Sequence, residues 1–120
     1  MDNKKDDRYY IEKVIENINA IIQYNMNLSY DDFISDIKGI DATMFRLIQM
    51  AENISHISKE YKESHSNIKW GQNIGFRNGI VHDYGKTDYA IVYEIISNDL
   101  YILKESLEKD KVKNWYFTMN

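Results

Sequence analysis

The fold is decided by residues 41–62, which read DATMFRLIQMAENISHISKEYK. Apolar side chains recur here at intervals of three and four residues, the spacing that places side chains on one face of an α-helix. The members of this stripe are Met44, Leu47, Ile48, Ala51, Ile54, Ile57 and Tyr61. The pattern predicts one long amphipathic helix, from about Asp41 to Lys62, whose apolar face packs against other helices.

The same periodicity continues on both sides of this segment. A first helix is predicted over Asp7 to Tyr24, and a last helix begins after Asp88, which is placed to cap it. The apolar positions are Ile11, Val14, Ile15, Ile18, Ile21 and Ile22 in the first, and Ile91, Val92, Ile95, Ile96, Leu100, Leu103 and Leu107 in the last. The sequence therefore predicts an all-α protein, an up-and-down bundle of four to five helices.

A short helix is expected between the first helix and the long one. Ser29 is a typical N-cap, and Asp32 follows three residues later in an approximate capping box. This helix is predicted to reach about Ile37, with Gly39 ending it. No proline, linker or repeat divides the 120 residues, so residues 1–120 are expected to form a single domain.

Composition restricts the classes of function. The chain has no cysteine, which excludes disulfides, thiolate zinc sites and a cysteine nucleophile. The N-terminal MDNKKDDRYY is charged, and no apolar run approaches the roughly 20 residues that span a bilayer, so a cytoplasmic protein without a membrane is expected. A formal net charge of −4 argues against coating nucleic acid and restricts any RNA contact to a local site.

The most distinctive stretch is GFRNGIVHDYG, residues 75–85. On an ideal helix Asn78 and His82 lie within about 40° of each other, whereas Arg77 lies about 140° from His82. Arginine offers a rigid fork for phosphate oxygens, and histidine transfers protons near neutral pH. From spacing alone, however, a buried or capping histidine beside a surface arginine is the simpler interpretation.

The pattern R-x4-H-x-Y formed by Arg77, His82 and Tyr84 resembles the signature of HEPN-domain ribonucleases of the HepT class. The flanking sequence, from Met44 to Glu108, is similar as well. The resemblance implies a HEPN fold and a metal-independent endoribonuclease toxin that needs no cofactor. It makes Arg77 and His82 the catalytic pair, with Asn78 and Asp83 in support.

The resemblance also implies partners. Two subunits are expected to pair through the motif-bearing helices, so that both Arg-His motifs line one cleft that takes messenger or transfer RNA. A minimal nucleotidyltransferase antitoxin is expected to neutralise the toxin by AMPylation of Tyr84. Two alternatives stay open: Tyr84 packs at a helix end, or the chain is a non-catalytic helical binding partner or modification substrate of the nucleotidyltransferase.

Other polar residues are assigned structural roles. His56 and His65 lack a second ligand at the spacing of a helical zinc site, so no metal centre is predicted. Asp31, Asp32 and Asp36 lack the glycine of a calcium loop and are expected to cap helices. The aromatic C-terminal residues 114–120 have no periodic interpretation and are expected to dock on the domain.

Overall fold

The computed structural model describes residues 6–70 and 87–111, and these two ranges contain helices and no strand. The helices are α1 (Asp7–Asn25), α2 (Tyr30–Ser35), α3 (Ile37–Ser55), α4 (Lys59–Ser64), α5 (Tyr89–Glu94) and α6 (Leu100–Asp110), with a π-helical turn (Ile95–Asp99) between α5 and α6. The prediction of an all-α fold is confirmed.

Helices α1 and α3 form an antiparallel pair at the centre of the molecule. Near one end, the Asn25 amide Nδ2 donates a hydrogen bond of 2.9 Å to the Thr43 hydroxyl. Beyond the other end, the backbone N–H of Ser58 donates to the carboxylate of Asp7 at 2.8 Å. The start of α1 therefore lies beside the end of α3.

The last helical stretch, α5 to α6, also runs antiparallel to α1. The Tyr93 hydroxyl donates to the carbonyl oxygen of Leu28, just after the end of α1, at 2.7 Å. At the far end, Lys111 forms an ion pair of 2.5 Å with Glu12 in the first half of α1. The last stretch therefore runs parallel to α3, and residues 71–86, which separate the two in the chain, lie outside the described residues.

The core consists of the apolar stripes of these three long elements. The buried members are Ile11, Val14, Ile15, Ile18 and Ile21 from α1, Ile40, Met44, Leu47, Met50, Ala51 and Ile54 from α3, and Val92, Ile96, Leu100, Leu103 and Leu107 from the last stretch. Four predicted members, Ile22, Ile48, Tyr61 and Ile95, are partly buried. Ile91 is 55% exposed, so its assignment to the core was wrong.

A π-helical turn keeps the apolar stripe of the last stretch on one line. Val92, Ile96 and Leu100 follow one another at intervals of four residues, which drift around an α-helix of 3.6 residues per turn. The π turn holds more residues per turn and absorbs this drift. All three side chains are consequently buried on the same core.

Side-chain caps define where several helices begin. The Ser29 hydroxyl accepts the backbone N–H of Asp32 at 3.1 Å, and the Asp88 carboxylate accepts the N–H of Ala90 at 2.9 Å, as predicted. Gly39, in contrast, does not end a helix. It lies inside α3, where its N–H donates to the carboxylate of Asp36 at 3.0 Å. That cap starts α3 at Ile37 rather than at Asp41.

The predicted long helix from Asp41 to Lys62 is interrupted, which corrects the sequence-based boundary. Helix α3 ends at Ser55, and Ser58 begins α4 by accepting the N–H of Tyr61 on its hydroxyl at 3.1 Å. The Ser58 hydroxyl in turn donates to Asp7 at 2.6 Å. A carboxylate from α1 therefore stabilises the break, a contact that helical periodicity does not encode. None of the described helices is long and apolar enough to cross a membrane.

Replacement of Ser58 by alanine tests this junction. We expect Ser58→Ala to lower the free energy of unfolding by about 1–2 kcal/mol, because it removes a helix cap and a hydrogen-bond donor to Asp7. Chemical denaturation measures the difference. The control is Ser35→Ala, which removes only a local bond from an exposed hydroxyl to the Asp31 carbonyl. Equal losses in the two variants would contradict a special role for Ser58.

Candidate functional site

The sequence motif falls between the two described parts of the chain. Its residues Arg77, Asn78, His82, Asp83 and Tyr84 lie within residues 71–86, outside the described residues, as does the aromatic segment 114–120. Trp70 is the last described residue before the motif segment, and Thr87 is the first one after it. The contacts of these two flanks determine how the segment is attached to the bundle.

The flank before the motif is attached through a buried carboxylate. Asp110, at the end of α6, is 9% exposed, and its two oxygens bind different partners. The Tyr61 hydroxyl of α4 donates to one oxygen, and His65 Nε2 donates to the other at 2.6 Å. Both donors offset the cost of burying the charge, which is several kcal/mol for an unpaired carboxylate.

Ring stacking extends this network to Trp70. The rings of Tyr61 and His65 stack with their centroids 4.0 Å apart, and Trp70 lies edge-on to Tyr61 at 6.1 Å. The Trp70 indole N–H donates to the carbonyl oxygen of His65 at 3.1 Å. The residue that precedes the motif segment is therefore held against the end of the last helix.

The network keeps the Tyr61 hydroxyl protonated. Burial raises the pKa of this phenol well above its ordinary value, and the hydrogen bond to Asp110 and the negative charges of Asp110 and Asp7 raise it further. A protonated phenol is required for the bond, because only the O–H form donates to a carboxylate. Tyr61 thus acts as a permanent donor in the ordinary pH range.

The flank after the motif is attached at the opposite end of α1. Asp88 caps α5 two residues after the segment ends. One turn later the hydroxyl of Tyr93 is bonded to Leu28, and its ring packs edge-on against Tyr30 at 5.5 Å and beside Phe33 at 5.7 Å. Both ends of the motif segment consequently connect to ordered parts of the bundle.

The two histidines outside the motif have structural contacts. His56 follows the end of α3, where its ring stacks on Tyr10 at 5.1 Å and its Nε2 lies 3.3 Å from a Glu52 oxygen. His65 belongs to the Asp110 network. Within the two described ranges, no three potential ligands of the His, Cys, Asp or Glu type come together as a metal site would require.

Comparison with known proteins identifies the family. Residues 14–109 match the family model described as Ribonuclease HepT-like. The chain belongs to the HepT-like ribonuclease family. The matched range includes all five predicted site residues and most of the described helices, so the resemblance drawn from the motif is confirmed at the level of the family.

Curated relatives of this HepT-like chain match over nearly their full lengths. A protein from Caldanaerobacter subterraneus, named as a candidate RNase, is 29% identical over 111 residues, which cover 89% of this chain and 99% of the relative. A protein from Thermococcus cleftensis, named as a probable ribonuclease HepT, is 27% identical over 88% of this chain and 96% of the relative. A candidate RNase from Methanocaldococcus jannaschii is 25% identical over 88% of this chain and 97% of the relative. No solved structure matches the chain significantly.

Sequence reasoning missed the network that attaches the motif of this HepT-like protein. The sequence predicts Tyr61 as a member of an apolar stripe, and it offers His65 only as a zinc ligand without a second ligand at the required spacing. Asp110 did carry a signal, because it follows Leu103 and Leu107 at the spacing of the buried stripe. A carboxylate on the apolar face of a helix requires a hydrogen-bonding partner from another element.

The raised pKa of Tyr61 predicts a pH-dependent contribution to stability. Below about pH 10, the phenol is protonated in both folded and unfolded chains, and the contribution is complete. Above that pH the unfolded chain ionises first, so the contribution is lost as the pH rises. We expect the free energy of unfolding of wild type to exceed that of Tyr61→Phe by about 1–2 kcal/mol at neutral pH. This difference should become smaller in alkali.

Denaturant unfolding over a pH series measures this difference. The matched control is Tyr101→Phe on α6, where the side chain is 47% exposed. The free energy of unfolding of that variant should equal that of wild type at each pH. If the difference in free energy of unfolding between wild type and Tyr61→Phe stays constant into strong alkali, the raised pKa of Tyr61 is contradicted.

Proposed function

We propose that this HepT-like protein is a metal-independent endoribonuclease in which Arg77 and His82 are the catalytic residues. The observation that carries the proposal is the intact R-x4-H-x-Y motif inside the range matched by the family model, residues 14–109. The names of the relatives from Thermococcus cleftensis and Caldanaerobacter subterraneus support a ribonuclease activity.

The proposed reaction uses the 2′-hydroxyl of RNA as its own nucleophile. A base takes the hydroxyl proton, the 2′-oxygen forms a bond to the neighbouring phosphorus, and the bond from phosphorus to the 5′-oxygen breaks. The leaving oxygen gains a proton, so the products carry a 2′,3′-cyclic phosphate and a 5′-hydroxyl. His82 transfers protons in this step, a role typically worth about 10²–10⁴-fold in rate.

Arg77 is proposed to stabilise the transition state. Its guanidinium binds the phosphate oxygens on which charge accumulates, and this electrostatic effect is strongest when the group is held in place beforehand. The anchoring of Trp70 and Tyr93 on either side of the segment supports such preorganisation. Asn78 and Asp83 are proposed to orient the catalytic pair, and a homodimer is proposed to bring two motifs into one cleft.

The activity is proposed to belong to a cytoplasmic toxin–antitoxin module of a type VII-like class. The antitoxin is a minimal nucleotidyltransferase that transfers AMP to Tyr84. In that step the Tyr84 oxygen bonds to the α-phosphorus of ATP, pyrophosphate leaves, and the phenolic proton is released. The added phosphate and nucleoside then compete with RNA for Arg77 by charge and by bulk.

Cleavage of total cellular RNA in the presence of EDTA tests the nuclease. We expect purified wild type to produce 2′,3′-cyclic phosphate ends and His82→Ala to lose at least about 10²-fold in rate, because the proton-transfer group is gone. The matched control is His56→Ala, which removes a histidine in contact with Tyr10 and should keep the activity.

Two results would contradict this function. Absence of cleavage by folded, unmodified wild type would favour the alternative, a non-catalytic partner or substrate of the nucleotidyltransferase. Cleavage that needs an added divalent cation would contradict the metal-independent mechanism.

Mass spectrometry tests the modification. Wild type co-expressed with the nucleotidyltransferase should gain the mass of one or more AMP groups, whereas Tyr84→Phe should gain none, because its ring has no acceptor oxygen. Tyr101→Phe serves as the control, since it removes an exposed tyrosine outside the motif. An unchanged mass gain in Tyr84→Phe would place the acceptor elsewhere.

A further inference from the structure

A cationic groove lies beside the flank that precedes the motif. It has a volume of about 770 Å³, within the roughly 300–1,000 Å³ that is usual for ligand sites, and it opens to solvent. The lining residues are Ser55, Ile57, Lys59, Lys62, Glu63, Ser66, Ile68, Lys69 and Trp70. Three lysines and one glutamate make its lining positive, in a chain whose formal net charge is −4.

We infer that this groove binds the phosphodiester backbone of single-stranded RNA and directs the strand to Arg77 and His82. The inference rests on the proposed ribonuclease function and adds a substrate-binding surface to it. Trp70, one of the lining residues, is seven residues before Arg77 in the chain. RNA bound there would be close to the start of the motif segment.

Lys62 provides the most specific support. Its ammonium forms no ion pair or hydrogen bond with any residue in the described ranges. Burial lowers the pKa of this ammonium, while the negative charge of Asp7 acts in the opposite direction. Both Asp7 oxygens already accept hydrogen bonds from Ser58. A phosphate oxygen would give this partly desolvated ammonium a charge-assisted hydrogen bond.

The rest of the lining suits the same ligand. Lys59 pairs only loosely with Glu63, at 3.7 Å and with both side chains exposed, so a phosphate can compete for it at little cost. Ser55 and Ser66 bring hydroxyl groups that can bond to phosphate or to ribose. Ile57 and Ile68 are buried apolar members of the lining.

The family match favours RNA over an acidic protein surface as the occupant, because the chain belongs to a ribonuclease family. The net charge of the chain is −4, so binding of RNA requires a local concentration of lysines such as this one. The groove is open to solvent, so a single strand can lie across it with its backbone against the lysines.

Binding of a fluorescein-labelled oligouridylate, followed by anisotropy at several salt concentrations, tests the groove. All proteins carry His82→Ala, which prevents cleavage. We expect the added double substitution Lys59→Ala/Lys62→Ala to weaken binding about fivefold per lysine near 0.1 M salt. The slope of log affinity against log salt should decrease by about 0.7 per lost phosphate contact.

Two controls accompany the double variant. Lys104→Ala/Lys109→Ala removes the same charge from α6, where these lysines pair with Glu108 and Glu105, and should leave RNA affinity and slope close to those of the parent. Glu63→Gln removes the one anion of the groove and should strengthen binding. A gain of affinity cannot arise from misfolding.

The outcomes separate this inference from the ribonuclease proposal. Unchanged affinity and slope in the groove variants overturn the inference, even if wild type cleaves RNA. If binding depends on the lysines but wild type with His82 intact does not cleave RNA, the groove inference stands and the ribonuclease proposal is overturned. Loss of self-association with unchanged RNA affinity, measured by sedimentation, also overturns the inference and makes the groove an interface between protein chains.

Discussion

The buried carboxylate of Asp110 constrains much of the described structure. A carboxylate that is only 9% exposed is tolerated when hydrogen-bond donors offset its desolvation, and here one donor comes from α4 and the other from the segment that follows it. Tyr61 and His65 must therefore approach the end of α6 together. Trp70, bonded to the His65 carbonyl, is fixed by the same requirement.

A similar requirement for a second carboxylate explains why the long amphipathic pattern is divided into two helices. A second carboxylate, Asp7, accepts both the N–H and the hydroxyl of Ser58 and so stabilises a new helix start there. Two acidic side chains thus hold α4, Asp7 of α1 at the Ser58 cap and Asp110 of α6 at Tyr61. Trp70 and Asp88 flank the motif segment in the chain, so the contacts of these two flanks fix the positions from which the segment begins and ends.

The distribution of charge links the fold to the proposed activity. The formal net charge of the chain is −4, yet α4 and the residues after it place three lysines around one groove beside Trp70. The proposed groove would give an acidic ribonuclease a local surface for its anionic substrate. In the proposed mechanism, AMP on Tyr84 would add negative charge to the motif and so oppose binding of an anionic substrate.

The sequence by itself determined the helical class, the caps at Ser29 and Asp88, the core stripes and the family motif, because each depends on residues close together in the chain. Only the tertiary structure decided that α3 ends at Ser55, that Gly39 is helical, and that Asp110 binds Tyr61 and His65. The Asp7 and Asp110 contacts join residues about 50 positions apart. Periodicity records which face of a helix is apolar, whereas the partner of a buried charge is chosen by how the helices pack.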